Sequence, residues 1–298
     1  MALLFREPIE KAYRASVMSF SYFFCAILFL VAVFLPFFLA FSSYGFWKKW
    51  DLYEEQPRVL YRKEILILAY SETKGTLAYS SLDSLNQVYF DQSWPMTVVS
   101  STIDKNFDNK PDLYEFNITI PGVTKEVKNL KVLANFDYRI EERVRMDMVT
   151  FAYADVDLPA GGGSIYLDGE LKLQQKRTVK PGSLTRTVYN YTLLDSEGSS
   201  DVFLPMTLAK YNDRNETTVY DYGKGLVFPG GGSSLEVHMK VRIPANQMIM
   251  YKPPFIEVLK FAWVQYLAFL LPLGLLIFEF AKFVFGNKIL ESSVAVEK

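Results

Sequence analysis

The sequence has almost no cysteine or histidine and no excess of charge of either sign, and each shortage excludes a class of protein. Its single cysteine, Cys25, lies inside an apolar run, so the rest of the chain has no disulfide and no thiolate metal site. A net charge of −1 over 298 residues gives no electrostatic basis for binding nucleic acid. Without such cross-links the chain must be stabilised by a hydrophobic core.

Motifs of known catalytic sites are also missing from the sequence. There is no Gly-x-Ser-x-Gly motif, no nucleotide-binding loop and no cluster of histidine and cysteine. The single histidine, His238, alternates with Val237 and Met239, which favours a place on the polar face of a strand over a role as a general base. We therefore predict a protein that is not an enzyme and that has no small-molecule substrate.

The longest apolar run is 20–41, and no charged residue occurs between Arg14 and Lys48. A helix of about 22 residues is about 33 Å long, enough to cross a hydrocarbon core of about 30 Å. A cleaved signal peptide is the alternative, but its apolar region is usually only about 7–15 residues long. The small residues near a possible cleavage point would be Ala40, Ser42 and Ser43. The length of the run favours a membrane anchor.

A second apolar run, 261–278, follows two prolines that separate it from the last strand, so its helix is predicted to begin at Phe255. Trp263 and Tyr266 are side chains typical of the membrane interface. The alternative is a buried helix of a soluble domain. Two crossings would place both termini on the same side of the membrane.

The segment between the two runs has the pattern of a β domain. Apolar and polar residues alternate at 127–140, 144–156, 165–175 and 235–243. Prolines and glycines, including the triplets 161–163 and 230–232, indicate turns and loops. No stretch of helical period is found there, and about eight to twelve strands are expected. The pattern predicts a β-sandwich or a related fold of two sheets.

These elements predict five segments of a two-span membrane protein. Three Asn-x-Thr sequons, at Asn117, Asn190 and Asn215, favour a β domain outside the cytosol. The basic residues near the first run do not favour a cytosolic N-terminus, but long translocated segments largely escape that rule. The predicted segments are a cytosolic tail lying along the membrane surface (1–17), a first transmembrane helix (18–46), an extracytosolic β domain (47–254), a second transmembrane helix (255–281) and a cytosolic tail (282–298).

An acidic stretch at 104–115 has the spacing of a twelve-residue calcium loop. Its oxygen ligands at positions 1, 3, 5, 9 and 12 would be Asp104, Asn106, Asp108, Asp112 and Glu115. Lys110 would offer its carbonyl at position 7, and Asn109 replaces the usual glycine at position 6. The alternative is an acidic, asparagine-rich turn between strands. Calcium would stabilise a hairpin, and no other cofactor is expected.

Three further residues are candidates for binding partners. Glu54 and Glu55 follow the first run and belong either to a solvated turn or to a binding patch. Gln265 is the clearest polar residue within the second run, where an amide can hydrogen-bond to another helix. A pore or transporter would need more polar residues inside the membrane than these.

Several segments resemble the transmembrane protein 231 family. They are SYGFW at 43–47, YEEQP at 53–57, GELKLQQK at 169–176, RNETTV at 214–219 and KFAWVQY at 260–266. The resemblance implies a two-pass protein of the ciliary transition zone that acts in the Meckel syndrome module with tectonic-like, B9-domain and meckelin-like partners. That assembly limits the diffusion of membrane proteins into the cilium. Two alternatives remain: a two-helix oligomeric channel and an accessory subunit of a transporter or flippase.

Overall fold

The computed structural model describes residues 10–16, 18–43, 45–123, 126–158, 163–182, 184–192, 194, 200–229 and 233–297. Most of both predicted glycine loops, at 161–162 and 230–232, therefore lies outside the described residues. The chain forms two compact units, one from residues 1–49 with 253–298 and the other from residues 50–252.

The elements follow the chain in this order. The α-helices are α1 (Phe20–Ser42), α2 (Asp83–Val88), α3 (Ser200–Asn212) and α4 (Phe255–Gly286). The strands are β1 (Glu10–Arg14), β2 (Asp51–Glu55), β3 (Arg58–Ser71), β4 (Gly75–Ser80), β5 (Thr97–Ile103), β6 (Leu113–Pro121), β7 (Val127–Ile140), β8 (Met146–Asp157), β9 (Ser164–Gln175), β10 (Arg186–Tyr189), β11 (Glu216–Asp221), β12 (Leu226–Phe228), β13 (Ser234–Arg242), β14 (Gln247–Tyr251) and β15 (Ser293–Glu297). A short 3-10 helix spans Phe90–Gln92.

The central unit is a sandwich of two sheets, as the alternating pattern predicted. A five-stranded sheet has the order β10-β8-β7-β3-β4, and a six-stranded sheet has the order β11-β9-β13-β6-β5, with β12 beside β9. Most neighbours are antiparallel, whereas β13 runs parallel to β9 and β10 runs parallel to β8. The main core lies between the sheets, where Phe116, Phe136 and Val237 are fully buried. Strands β2 and β14 form a separate antiparallel ribbon.

Two helices cover the outer face of the five-stranded sheet, so the expectation of no helix in this domain is wrong. In β3, Ile65 and Ile67 enter the main core, whereas Leu66 and Leu68 face the other way. There they pack in a second core with residues of α2 and α3, including Phe203. Both faces of this strand are buried, which explains why its residues 65–69 are apolar without alternation.

The other unit is a pair of long apolar helices. The Ser19 hydroxyl accepts a hydrogen bond from the Tyr22 N–H at 3.3 Å and caps α1. Helix α4 begins at Phe255, the predicted residue, and continues beyond position 281 to Gly286. Only a small part of each helix is buried within the protein, unlike the core helix of a soluble domain.

The described ends of the chain are paired with each other, and the prediction that the N-terminal tail lies along the membrane surface stays a prediction. Strands β1 and β15 form an antiparallel ribbon from Glu10 opposite Glu297 to Arg14 opposite Ser293. The Ser21 hydroxyl also donates a hydrogen bond to the Glu291 carbonyl at 2.6 Å. Because α1 and α4 bring the two ends together, their backbone groups can satisfy each other. The two described ends therefore lie at the same end of the helix pair.

Candidate functional surfaces

Small residues allow α1 and α4 to approach each other. Ala40 and Ala262 are buried together with Phe46, and the rings of Tyr266 and Phe269 pack around them. The Tyr266 hydroxyl donates a hydrogen bond to the Val33 carbonyl of α1 at 3.2 Å. Close packing around small side chains and a hydrogen bond between helices are the contacts that stabilise helix pairs in lipid.

The predicted polar contact within this pair is made by a different residue. The Gln265 side chain is half-buried, and its amide hydrogen-bonds to no other residue in the described part of the chain. The neighbouring Tyr266 makes the contact between the helices instead. The sequence marked Tyr266 only as an interfacial ring, because a hydroxyl at the end of an aromatic ring gives no sign of which helix it will face. The Gln265 amide is therefore not used inside the helix pair.

The structure separates the acidic pair Glu54–Glu55. Glu54 is exposed on β2, whereas Glu55 is 4% exposed. The Glu55 Oε1 accepts hydrogen bonds from the backbone N–H groups of Glu141 at 2.7 Å and Glu142 at 3.1 Å. Its Oε2 accepts one from the Tyr53 hydroxyl at 3.1 Å. Glu55 thus ties β2 to the turn between β7 and β8, which corrects its assignment to a solvated turn or a binding patch.

The hydroxyl beside Glu55 is held in its neutral form. Burial, together with the nearby Glu55 carboxylate, raises the pKa of Tyr53. The same hydroxyl accepts a hydrogen bond from the Val144 N–H at 3.1 Å. Tyr53 therefore donates to Glu55 and accepts from the turn, so that two side chains of one short strand connect β2 to the main sandwich.

The predicted calcium loop forms the connection between β5 and β6. Asp104 accepts hydrogen bonds from the backbone N–H groups of Phe107 at 2.8 Å and Asn109 at 3.0 Å. Asn109 has a φ of 63°, the left-handed conformation expected at that position. Asp108 accepts from the Lys110 N–H at 2.7 Å. These carboxylates stabilise the turn itself.

The last two acidic residues of the predicted calcium loop, Asp112 and Glu115, bind other groups of the chain. Asp112 accepts hydrogen bonds from the Lys105 N–H at 2.8 Å and from the Gln56 amide at 3.1 Å. Glu115 lies on β6 and pairs with the Lys240 ammonium at 2.8 Å. Within the described residues no three carboxylate, histidine or cysteine side chains are grouped to hold a metal ion. Calcium binding by 104–115 stays a prediction that would require these side chains to rearrange.

The three sequons lie in different surroundings. Asn117 is exposed in the middle of β6, and Asn190 is exposed just after β10. Asn215 is half-buried, and its backbone N–H donates a hydrogen bond to the Tyr189 hydroxyl at 3.1 Å. Its neighbours in the sequence, Arg214 and Glu216, are buried. Asn117 and Asn190 are thus the more accessible of the three.

A buried arginine lies beside the third sequon and was missed in the sequence. Arg214 is 3% exposed, and its Nη1 donates a hydrogen bond to the Val149 carbonyl at 2.7 Å. Its guanidinium carbon lies 4.6–5.4 Å from the ring centres of Tyr189, Tyr191 and Tyr211. Stacking on aromatic rings is favourable for arginine, so this group holds β10, α3 and β11 together. In the sequence, only the nearby tyrosines 189, 191 and 211 could have indicated that Arg214 packs against aromatic rings.

Two apolar helices with mostly exposed side chains, joined by a two-sheet β domain, define a membrane protein with two candidate spans. A family model described as Transmembrane protein 231 matches residues 1–294, and the chain belongs to that family. The resemblance seen in the sequence is thereby confirmed.

Similar proteins named Transmembrane protein 231 are known from several vertebrates. The human protein is 32% identical over 96% of this chain and 92% of its own length. The Xenopus tropicalis protein is 33% identical over 96% of this chain and 93% of its own length, and the Mus musculus protein is 32% identical over 97% and 93%. No solved structure matches the chain.

Proposed function

We propose that this chain is a non-enzymatic structural component of the ciliary transition-zone membrane complex. There it contributes to a diffusion barrier that controls which membrane proteins enter the cilium, and it supports formation of the cilium. Membership of the transmembrane protein 231 family across residues 1–294 carries this proposal. Its partners would be tectonic-like, B9-domain and meckelin-like proteins of the same complex.

The proposal includes an arrangement in the membrane. Helices α1 and α4 cross the bilayer, the β domain lies outside the cytosol and both termini lie in the cytosol. The charge-free centre of α4, residues 261–278, supports this crossing because charged residues occur only towards its two ends. The pairing of β1 with β15 supports termini that share one side.

The helix pair offers a surface suited to another membrane protein. A groove of about 570 Å³ between α1 and α4 is lined by apolar and aromatic side chains, among them Phe34, Phe38 and Trp263. Shape-matched packing of this kind is one of the main forces between helices in lipid. A role in holding neighbouring subunits fits these features without any catalytic step.

Proximity labelling in ciliated cells tests the location and partners. With a labelling enzyme fused to the full chain, we expect a ring of signal at the ciliary base and labelled transition-zone proteins. Labelling of a pump or flippase would favour an accessory subunit instead. An even distribution over the plasma membrane would contradict the proposal.

The Gln265 amide provides a sharper test of partner binding. We expect Gln265→Leu to reduce co-purification of membrane partners about five-fold, which corresponds to a hydrogen bond of about 1 kcal/mol in lipid. Its folding should be unchanged, because the Gln265 side-chain amide has no hydrogen bond to another described residue. The matched control is Tyr266→Phe, which removes the hydrogen bond to Val33 and should weaken the helix pair itself. Equal recovery of partners by wild type and Gln265→Leu would contradict this role.

A further inference from the structure

The outer face of the six-stranded sheet carries a row of side chains in register, four of them exposed and one, His238, half-buried. Leu226 of β12 lies opposite Tyr166 of β9, Tyr166 opposite His238 of β13, His238 opposite Asn117 of β6, and Asn117 opposite Val99 of β5. Tyr166, Val99 and Leu226 are 44%, 56% and 61% exposed. These exposed side chains make the row the apolar patch of this face, and exposed apolar patches mark places where another group can bind.

Two rings of this row, His238 and Tyr166, pack together with the ring of Phe228 beside Asn117, and we call these three rings the platform. His238 stacks on Tyr166 with ring centres 4.7 Å apart and an angle of 16° between the planes. Phe228 packs its ring against Tyr166 with the centres 5.7 Å apart and the planes 82° apart. The platform therefore extends across three adjacent strands, from β12 to β13.

Asn117 is oriented so that the atom that accepts a sugar is free. Its Oδ1 lies 2.8 Å from the Nδ1 of His238, which donates the hydrogen bond when that nitrogen carries the proton. The amide nitrogen Nδ2 then makes no hydrogen bond to any residue that the structure describes. Ile118 and Thr119 complete the sequon on the same strand.

We propose that Asn117 carries an N-linked oligosaccharide whose first sugars lie on the His238–Tyr166 platform and cover this patch. In the transfer, Nδ2 forms a bond to C1 of the first sugar and loses one proton. The bond between C1 and the pyrophosphate of the lipid-linked oligosaccharide donor breaks, and the pyrophosphate leaves with the lipid. The inference depends on the extracytosolic place of the β domain in the proposed function.

The position of the sequon favours a sugar over a protein as the cover. Asn117 lies within the row itself, between His238 and Val99, so an oligosaccharide attached there would occupy part of the patch and prevent a protein from docking flat on it. The apolar faces of sugar rings pack against aromatic rings, which are what the neighbouring strands present. Partners of this chain would then have to bind other surfaces of the β domain or the helix pair.

The first experiment measures occupancy of the full-length chain made in ciliated mammalian cells. We expect Thr119→Ala to remove one glycosidase-sensitive step in gel mobility, and Thr119→Ser, which keeps a sequon, to retain it. Asn190→Gln and Asn215→Gln report the other two sites in the same assay. Oligosaccharide on either of these but not on Asn117 would overturn this inference and leave the proposed membrane arrangement standing. If none of the three is modified and protease reaches the β domain from the cytosol, both fail.

The second experiment tests the platform. Enzymatic removal of the oligosaccharide from the purified protein is expected to lower its thermal midpoint by about 2–4 °C, the shift of one modest surface contact in a domain of this size. In Tyr166→Ala the midpoint should barely respond to the same treatment, because the sugar has lost its support. Lys224→Ala, an exposed change outside the row, serves as the control and should respond like wild type. An equal response of all three proteins would show that the sugar does not lie on the platform.

Discussion

Gly169→Ala is expected to destabilise the β domain by about 3 kcal/mol, because the new methyl group has no space. A Cβ at this position would lie 2.5 Å from the Asp221 carbonyl oxygen and 2.6 Å from the Tyr222 Cα. Both atoms belong to the backbone where β11 ends beside β9, so they cannot move as a flexible side chain would. Chemical denaturation of the full chain in detergent, followed by tryptophan fluorescence, measures the loss.

A second glycine serves as the control. A Cβ on Gly182 would meet no atom closer than the Leu184 carbonyl oxygen at 4.0 Å. Gly182→Ala should therefore change the free energy of unfolding by less than about 0.5 kcal/mol. If Gly169→Ala were as stable as Gly182→Ala, the close approach of the backbone at residues 221–222 to Gly169 would be wrong.

Glu55→Ala is expected to cost about 3 kcal/mol of stability. The change removes the acceptor of two backbone N–H groups, at Glu141 and Glu142, and of the Tyr53 hydroxyl. Hydrogen bonds to a charged group contribute about 1.5–3 kcal/mol each, and buried donors left without an acceptor add their own cost. The same denaturation experiment measures this change.

The neighbouring residue provides a matched comparison for this prediction. Glu54→Ala removes the same functional group from an exposed position and should stay within about 0.5 kcal/mol of wild type. Glu55→Gln keeps one carbonyl oxygen as an acceptor and should recover part of the loss. Equal effects at positions 54 and 55 would mean that the carboxylate of Glu55 does not hold the turn between β7 and β8.

The two long helices and most of the sandwich could be predicted because each follows a local pattern. The charge-free runs predicted α1 and α4, and Pro253 with Pro254 marked the start of α4. The alternating segments at 127–140, 144–156, 165–175 and 235–243 agree with β7, β8, β9 and β13 to about two residues. In each case a short window of residues already shows which side chains face apolar surroundings.

Helix α3 was missed because its local signals conflict. Pro205 lies inside the helix, where it removes one backbone hydrogen bond, and the segment is short. The spacing of Phe203, Thr207 and Tyr211, all buried, does follow a helical turn. The apolar run 65–69 also indicated a strand covered on both faces, which requires another layer outside the sheet.

For the candidate site residues, too, the sequence predicted only part of what the structure shows. The sequence predicted a solvated turn or a binding patch for Glu55 and a calcium loop or an acidic turn for Asp104, but not that both would accept backbone hydrogen bonds. For Glu55 the donors are 86 and 87 residues away along the chain. No local pattern carries that information.

The spacing of apolar residues and the length of the charge-free runs by themselves determined that this chain has two long apolar helices with a β domain between them. Its short motifs determined its family. Only the tertiary structure decided which side chain of a neighbouring pair turns inward, as with Glu55 over Glu54 and Tyr266 over Gln265. The physical reason is that period reports the average surroundings of a segment. The direction of one polar group depends instead on a partner that folding brings from a distant part of the chain.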